Sequence, residues 1–211
     1  MSQRKLRINL MSYGDVQSIL DLEERKIVAL DAMGVVFIDE DDTEELLIPF
    51  LKRRSNSLNI ERLRDLYYNQ ASIGAISSRQ FFRMLDVQYI EKEYLDECLR
   101  IDPAFARVAN DLREKYALVM FSNDVSEWSS YLRKKFELDN FFFQFFISGD
   151  VGLRKPDPQI YQELLGQLKV HGDECILVDN SLKNLEPASR FGFKTTSKEV
   201  SQIIRIRQIL S

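Results

Sequence analysis

Cysteine and histidine are scarce in this 211-residue chain, which holds two of the former, Cys98 and Cys175, and one of the latter, His171. The cysteines lie far apart, and neither has a Cys or His neighbour at metal-ligand spacing. A cysteine-based metal site is therefore excluded, and a reducing, cytoplasmic setting is expected. His171 stands beside Gly172 after a helical pattern and reads as a solvated turn residue. No long uninterrupted apolar run occurs, and the opening MSQRKLRINLMSYGDVQ is polar and mixed in charge, so neither a membrane span nor a signal peptide is expected. A strong excess of one charge is missing too: the formal net charge is −4, and basic residues are interleaved with acids. That distribution offers no stripe for a polyanion, and nucleic acid is not an expected partner. Internal repeats and low-complexity tracts are absent.

What the chain does have is apolar material, 45% of its residues, enough for a sizeable core and a small accessory unit. Residues 1–25 carry no strong pattern beyond a possible short helix at SILDLEER and are taken as an N-terminal extension. Short apolar runs read as buried strands at KIVAL, at YALVMFS (116–122), at FFFQFFIS (141–148), at ECILVDN (174–180) and at FKTTS (193–197). Between them lie helical patterns at 103–116, 126–138 and 158–170, the first and third opening on proline. Such alternation predicts an α/β fold, a Rossmann-like parallel sheet with helices on both faces. The stretch 39–100 differs, for TEELLIPFLKRR, IERLRDLYYNQ, SSRQFFRML and EKEYLDECL follow one another as helical patterns with no strand between. It reads as a helical insertion into a core built from 26–38 and 101–211. The acidic run DEDDTEE (39–45) is expected to cap and start its first helix, where negative charge is favourable. Trp128, the Phe-rich strand and the methionines read as core.

In an open parallel sheet, ligands bind beyond the carboxyl ends of the strands. The residues expected there are Asp31, then Ser122 and Asn123, then Asp179 and Asn180, with Lys155 a few positions past the strand ending at Ser148. Two carboxylates can hold magnesium through oxygen while lysine and serine meet the remaining oxygens of a phosphate. A carboxylate can also accept a phosphoryl group as an acyl phosphate. The sheet edge thus has the character of a phosphoryl-transfer site.

Four segments in order, ALDAMGVVF, VMFSND, SGDVGLRKPDPQIY and CILVDNSLKNLEPASRFGF, resemble the motifs of the haloacid dehalogenase (HAD) superfamily over roughly residues 26–200. The insertion at 39–100 sits where that family's type C1 helical cap belongs. The resemblance implies that Asp31 is the nucleophile and that Asp31, the backbone carbonyl of Met33 and Asp179 are the protein ligands of Mg2+. It further implies that Ser122 binds the transferring group, that Asn123 supports that loop, and that Lys155 neutralises charge on nucleophile and phosphoryl group. Substrate contacts then fall to Ser122, Asn123 and Lys155, and the cap closes over a small phosphorylated metabolite and selects it. No nucleic acid or membrane partner is implied, and the expected state is a monomer or homodimer.

Two residues depart from the pattern. Phosphatases of the superfamily carry aspartate two positions after the nucleophile, where it protonates the leaving oxygen and activates water; Met33 does neither. Loss of a general acid or base costs on the order of 10²- to 10⁴-fold in rate, so such an enzyme needs good leaving groups or a residue recruited from the cap. Asn180 stands where many members have a second acid. The expectation is a magnesium-dependent phosphatase with weakened acid/base catalysis. Two other readings stay open: a catalytically weak binding protein on this scaffold, for which Met33 speaks, and a 2-haloacid dehalogenase-type hydrolase, against which DNSLKN speaks. A phosphonate hydrolase needs a Schiff-base lysine from the cap, with Lys52 and Lys92 as the candidates. Tyr67 and Tyr68 mark a candidate specificity loop.

Overall fold

The computed structural model describes residues 26–54 and 63–197. The extension at 1–25 with its SILDLEER segment, the link 55–62 and the tail 198–211 lie outside the described residues. Five strands form one parallel sheet in the order β3-β2-β1-β4-β5. They are β1 (Ile27–Leu30), β2 (Ala117–Ser122), β3 (Gln144–Ile147), β4 (Cys175–Val178) and β5 (Lys194–Thr196). Every residue of β1, β2 and β4 is buried, because helices cover both faces and the strands need no polar side. Alternation divides their side chains. Val28, Leu30, Leu118, Met120, Ile176 and Val178 face one core layer, while Ile27, Ala29, Ala117, Val119, Cys175 and Leu177 face the other.

The second layer is closed by the helices Pro158–Leu168 and Leu182–Arg190, through Ile160, Tyr161, Leu164, Leu185 and Ala188. The first is closed by Phe105–Arg113, Ser126–Lys135 and the helical insertion. The insertion does not sit apart from the core. Its Leu47, Phe50, Phe81, Phe82 and Tyr94 belong to the same apolar cluster as the sheet residues. Trp128, from the helix after β2, packs against Tyr68, Phe81, Phe82 and Tyr94, and its indole N–H donates to Ser78 Oγ at 2.8 Å. A close backbone approach completes the junction: Gly74, at φ +69°, leaves no room for a side chain, since a Cβ there would lie 2.4 Å from the carbonyl oxygen of Gly149.

Local chemistry accounts for most element boundaries. The helix Ser78–Met84 begins with a capping box between Ser77 and Gln80. The helix Pro158–Leu168 starts with proline in its first turn and Asp157 as N-cap, and ends where Lys169 turns left-handed. Two expectations need correction. The Phe-rich strand spans only Gln144–Ile147, because Phe141 and Phe142 turn inward onto Phe105 after a 3-10 turn at Leu138–Asn140. The expected helix at 43–54 is a wide π-type run over Asp42–Leu47 that tightens into an α-helix at Ile48–Lys52, with Pro49 in its first turn.

Candidate active site

The strand register builds the site. Leu30 of β1 is level with Met120 of β2 and Val178 of β4, so the next residues, Asp31, Phe121 and Asp179, emerge side by side at the carboxyl edge. The chain starts at β1, runs outward through β2 and β3, then returns to β4 on the other side. The point where the strand order reverses therefore lies between β1 and β4, where open sheets of this kind place their ligands. Asp31 and Asp179 flank it.

Lys155 joins the three neighbours. Its Nζ donates to Asp31 Oδ1 at 3.0 Å, to Asp179 Oδ2 at 2.6 Å and to the carbonyl oxygen of Phe121 at 2.7 Å. All three ammonium hydrogens are thereby used. The exposure values are 1% for Lys155, 0% for Asp179 and 8% for Asp31. Burial pushes the Asp31 carboxyl up to about 6; the Lys155 charge pulls it back and the Asp179 charge adds to the rise. Burial alone would lower the Lys155 ammonium, but Asp179 and then Asp31 outweigh it, and the group stays charged. Position 155 is itself clamped: Asn123 Nδ2 donates to the Lys155 carbonyl at 2.8 Å, and the Lys155 N–H donates to Asn123 Oδ1 at 2.8 Å.

Asp31, Asn123 and Lys155 open into a cleft of about 320 Å³, lined also by Met33, Ser122, Asn180 and, from the insertion, Asp42, Arg64 and Tyr68. The size suits a small molecule. Gly34, at φ +66°, brings the loop after Asp31 against Asn180, whose Nδ2 would lie 2.7 Å from any Cβ at position 34. That amide is used: it donates to the Glu40 carbonyl at 3.0 Å and ties the β4 loop to the root of the insertion.

Among the described residues no three His, Cys, Asp or Glu side chains converge as a metal cluster. The pair Asp31 and Asp179 fits a hard divalent cation nonetheless. Two carboxylates share one ammonium there, an imbalance that a cation offsets, and magnesium is ordinarily held by one or two carboxylates together with water and phosphate oxygens. Asp31, Asp179 and the Met33 carbonyl are the candidate protein ligands.

A family model for haloacid dehalogenase-like hydrolases matches residues 25–192. The chain belongs to that family. A flavin mononucleotide hydrolase of Arabidopsis thaliana is 29% identical over 119 residues, 54% of this chain and 48% of the relative. A glyceraldehyde 3-phosphate phosphatase of Pyrococcus abyssi is 32% identical over 101 residues, 46% of this chain and 42% of the relative. The matches thus span about half the length of these curated relatives. A HAD family enzyme of Bacteroides thetaiotaomicron, crystallised with magnesium and inorganic phosphate, superposes with a TM-score of 0.71 over 83% of this chain and 94% of its own, at 21% identity. The fold is the HAD-like α/β fold.

The structure brings Asp31, Met33, Ser122, Asn123, Lys155 and Asn180 to one cleft; Asp179 is fully buried and does not line it, but bonds to Lys155, which does. Lys52 and Lys92 are exposed and do not line it; no Schiff-base lysine from the insertion reaches the site. Of the tyrosine pair, Tyr68 lines the cleft, while Tyr67 packs against the apolar core. Two residues escaped the sequence reading. Asn184 Nδ2 donates to both oxygens of Asp179, at 3.0 Å each; its signal was the spacing within DNSLKN, one helical turn past Asp179. Asp42 lay within an acidic run that looked like a plain helix start.

Proposed function

We propose that the chain is a magnesium-dependent phosphatase of a small phosphorylated metabolite, working through an aspartyl phosphate on Asp31. The observation that carries this reading is the Lys155 ammonium held between Asp31 and Asp179 at the reversal point of the sheet. The names of the partial relatives, a flavin mononucleotide hydrolase and a glyceraldehyde 3-phosphate phosphatase, support a phosphate ester as substrate. The magnesium and phosphate in the Bacteroides neighbour support the cofactor.

In this reading Asp31 attacks phosphorus. Ser122 Oγ holds the oxygens of the transferring group, the Lys155 ammonium neutralises charge on Asp31 and on that group, and Asn123 keeps Lys155 in place. Asp31, Asp179 and the Met33 carbonyl hold Mg2+, which when bound supplies positive charge to the phosphoryl oxygens. Ser181 N–H and Asn184 orient Asp179. Residues 39–100 act as the C1-type cap over a core of 26–38 and 101–211, and their Arg64 and Tyr68 face the substrate's remainder. Cleft size and the unpaired thiols Cys98 and Cys175 favour a cytoplasmic enzyme of small molecules, acting as a monomer or homodimer. No helix among the described residues is long and apolar enough to cross a membrane.

The test mixes the protein with 4-nitrophenyl phosphate, with magnesium or with a chelator, beside the Asp31→Asn variant. Magnesium-dependent release of nitrophenol, lower by on the order of 10⁴-fold or more in the variant, is expected. Equal release by both proteins, or halide release from a 2-haloacid with no phosphatase activity, would overturn the reading.

A further inference from the structure

Met33 leaves the cleft without an acid two residues from Asp31, yet a carboxyl faces the same space from another direction. Asp42 opens the helical insertion, and its first turn is fastened to the core. The Gly34 N–H donates to the Asp39 carbonyl at 2.7 Å, Asn180 holds the Glu40 carbonyl, and the Glu40 and Asp41 N–H groups donate to Glu45 Oε2 at 2.8 and 3.2 Å. Asp41 is used up as the N-cap, accepting from the N–H groups of Thr43 and Glu44, and pairs with Arg64. Asp42 is left to point inward. It lines the cleft that holds Asp31 and also the narrower recess behind it, where Met33, Ser122 and Asp124 meet.

Its surroundings fix its direction. The Tyr68 phenol donates to Asp42 Oδ2, Thr43 Oγ1 donates to Oδ1 at 3.2 Å, and the Tyr94 phenol donates to the Asp42 carbonyl oxygen at 3.2 Å. Tyr68 and Tyr94 are in turn wedged against Trp128. We propose that Asp42 is the catalytic acid and base that Met33 cannot be, giving a proton to the leaving oxygen and later taking one from the attacking water. The proposal rests on the phosphatase reading above.

The two half-reactions balance. Asp31 Oδ forms a bond to phosphorus as the bond from phosphorus to the ester oxygen breaks, and that oxygen takes the proton of the Asp42 carboxyl. Water then attacks the acyl phosphate, giving its proton to the Asp42 carboxylate. The bond from phosphorus to Asp31 breaks, and phosphate leaves with Asp31 and Asp42 restored. The first step needs the protonated carboxyl, and a shift that favours that form suits it. Burial pushes Asp42 up, and Asp41 adds to the rise, while the Tyr68 hydrogen bond and the Arg64 charge oppose it. Asp124, raised well above the ordinary range by burial and then by the Asp42 charge, faces it across the recess.

The experiment compares the wild type, Asp42→Asn and Asp42→Glu on alkyl phosphates and on aryl phosphates of graded leaving-group acidity. In the first turnover Asp42→Asn should lose on the order of 10²- to 10⁴-fold on alkyl phosphates and far less on 4-nitrophenyl phosphate, from which it should release a burst of about one equivalent and then stall. Asp42→Glu, which keeps an acid, should recover part of the alkyl activity. A first-turnover loss equal across all leaving groups in both variants, with no burst, would mean that Asp42 only shapes the cleft, and would overturn the proposal while leaving the phosphatase reading intact. A wild-type burst of about one equivalent followed by a stall would also overturn it, since Asp31 would then attack with no base to complete turnover. Absence of any phosphate-ester turnover by the wild type would overturn both.

Discussion

Asp179 is fully buried and accepts four hydrogen bonds from three donors: Lys155 Nζ, the Ser181 N–H at 2.8 Å and Asn184 Nδ2 at both oxygens. A carboxylate so held cannot rotate away from Asp31. Outer partners of this kind tune a metal site, and their loss costs about 10- to 100-fold in metal affinity. Asn184→Ala is therefore expected to weaken magnesium binding by about that factor, measured by titration calorimetry; unchanged affinity would mean that Ser181 and Lys155 suffice. Asp31, Ser122, Asn123 and Asp179 were legible in the sequence because each stands at or just past a strand end, and parallel register carries strand ends to one edge; Lys155 lies beyond the short helix that follows β3. Asp42 was not legible, since it meets Tyr68 only after the insertion has folded back. An acidic run at a helix start gives no sign that one of its members caps while the next turns inward.

The insertion is fastened by elements from both sides. Asp41 is an anchor inside it, tying its first turn to its own Arg64, and the pH dependence of that contact has a definite sign. Burial disfavours the charged carboxyl, but hydrogen bonds from Arg64 and the N–H groups of Glu44 and Thr43 outweigh it and hold Asp41 below its ordinary value. A depressed carboxyl stabilises the fold fully above its unfolded value, and the contribution disappears as pH falls through the folded one. Asp41→Ala should therefore cost about 1 kcal/mol at pH 7, and the gap in urea midpoint between variant and wild type should narrow toward pH 3. A gap independent of pH would rule out the charged cap. Trp128 is the second anchor, and Trp128→Ala should cost about 3–5 kcal/mol by the same measurement; a much smaller loss would show that the insertion does not depend on that contact. The sequence reading placed Trp128 in the core but had no means to assign it to the junction, because the aromatic residues around it lie some 30 to 60 positions earlier in the chain. It also overextended the Phe-rich strand, since Phe141 and Phe142 are apolar enough for a strand yet are drawn out of it by Phe105.

At the scale of the whole molecule, one apolar cluster runs from the sheet through the insertion, and the expected helix and strand alternation became a sheet whose central strands are covered on both faces. β4 lies between β1 and β5, so its residues reach solvent only when the sheet opens. Cys175 reports this: burial, then the charges of Glu174 and Asp173, pushes its thiol up to about 12, and thiolate is the reactive form. In native protein at pH 8 a thiol reagent is expected to modify the half-buried Cys98 slowly and Cys175 only at the rate of global unfolding. Faster reaction of Cys175 would show that the β4 edge opens locally.

The central claim is that Asp31 carries the phosphoryl group, and the most direct measurement is to catch it there. Protein reacting with an aryl phosphate and magnesium is quenched in acid within the first turnover, digested, and the peptide spanning Asp31 weighed by mass spectrometry. The account predicts phosphoryl mass on Asp31 and none in Asp31→Asn. Ester cleavage with Asp31 unmodified at every quench time, or phosphoryl mass on another residue, would contradict it.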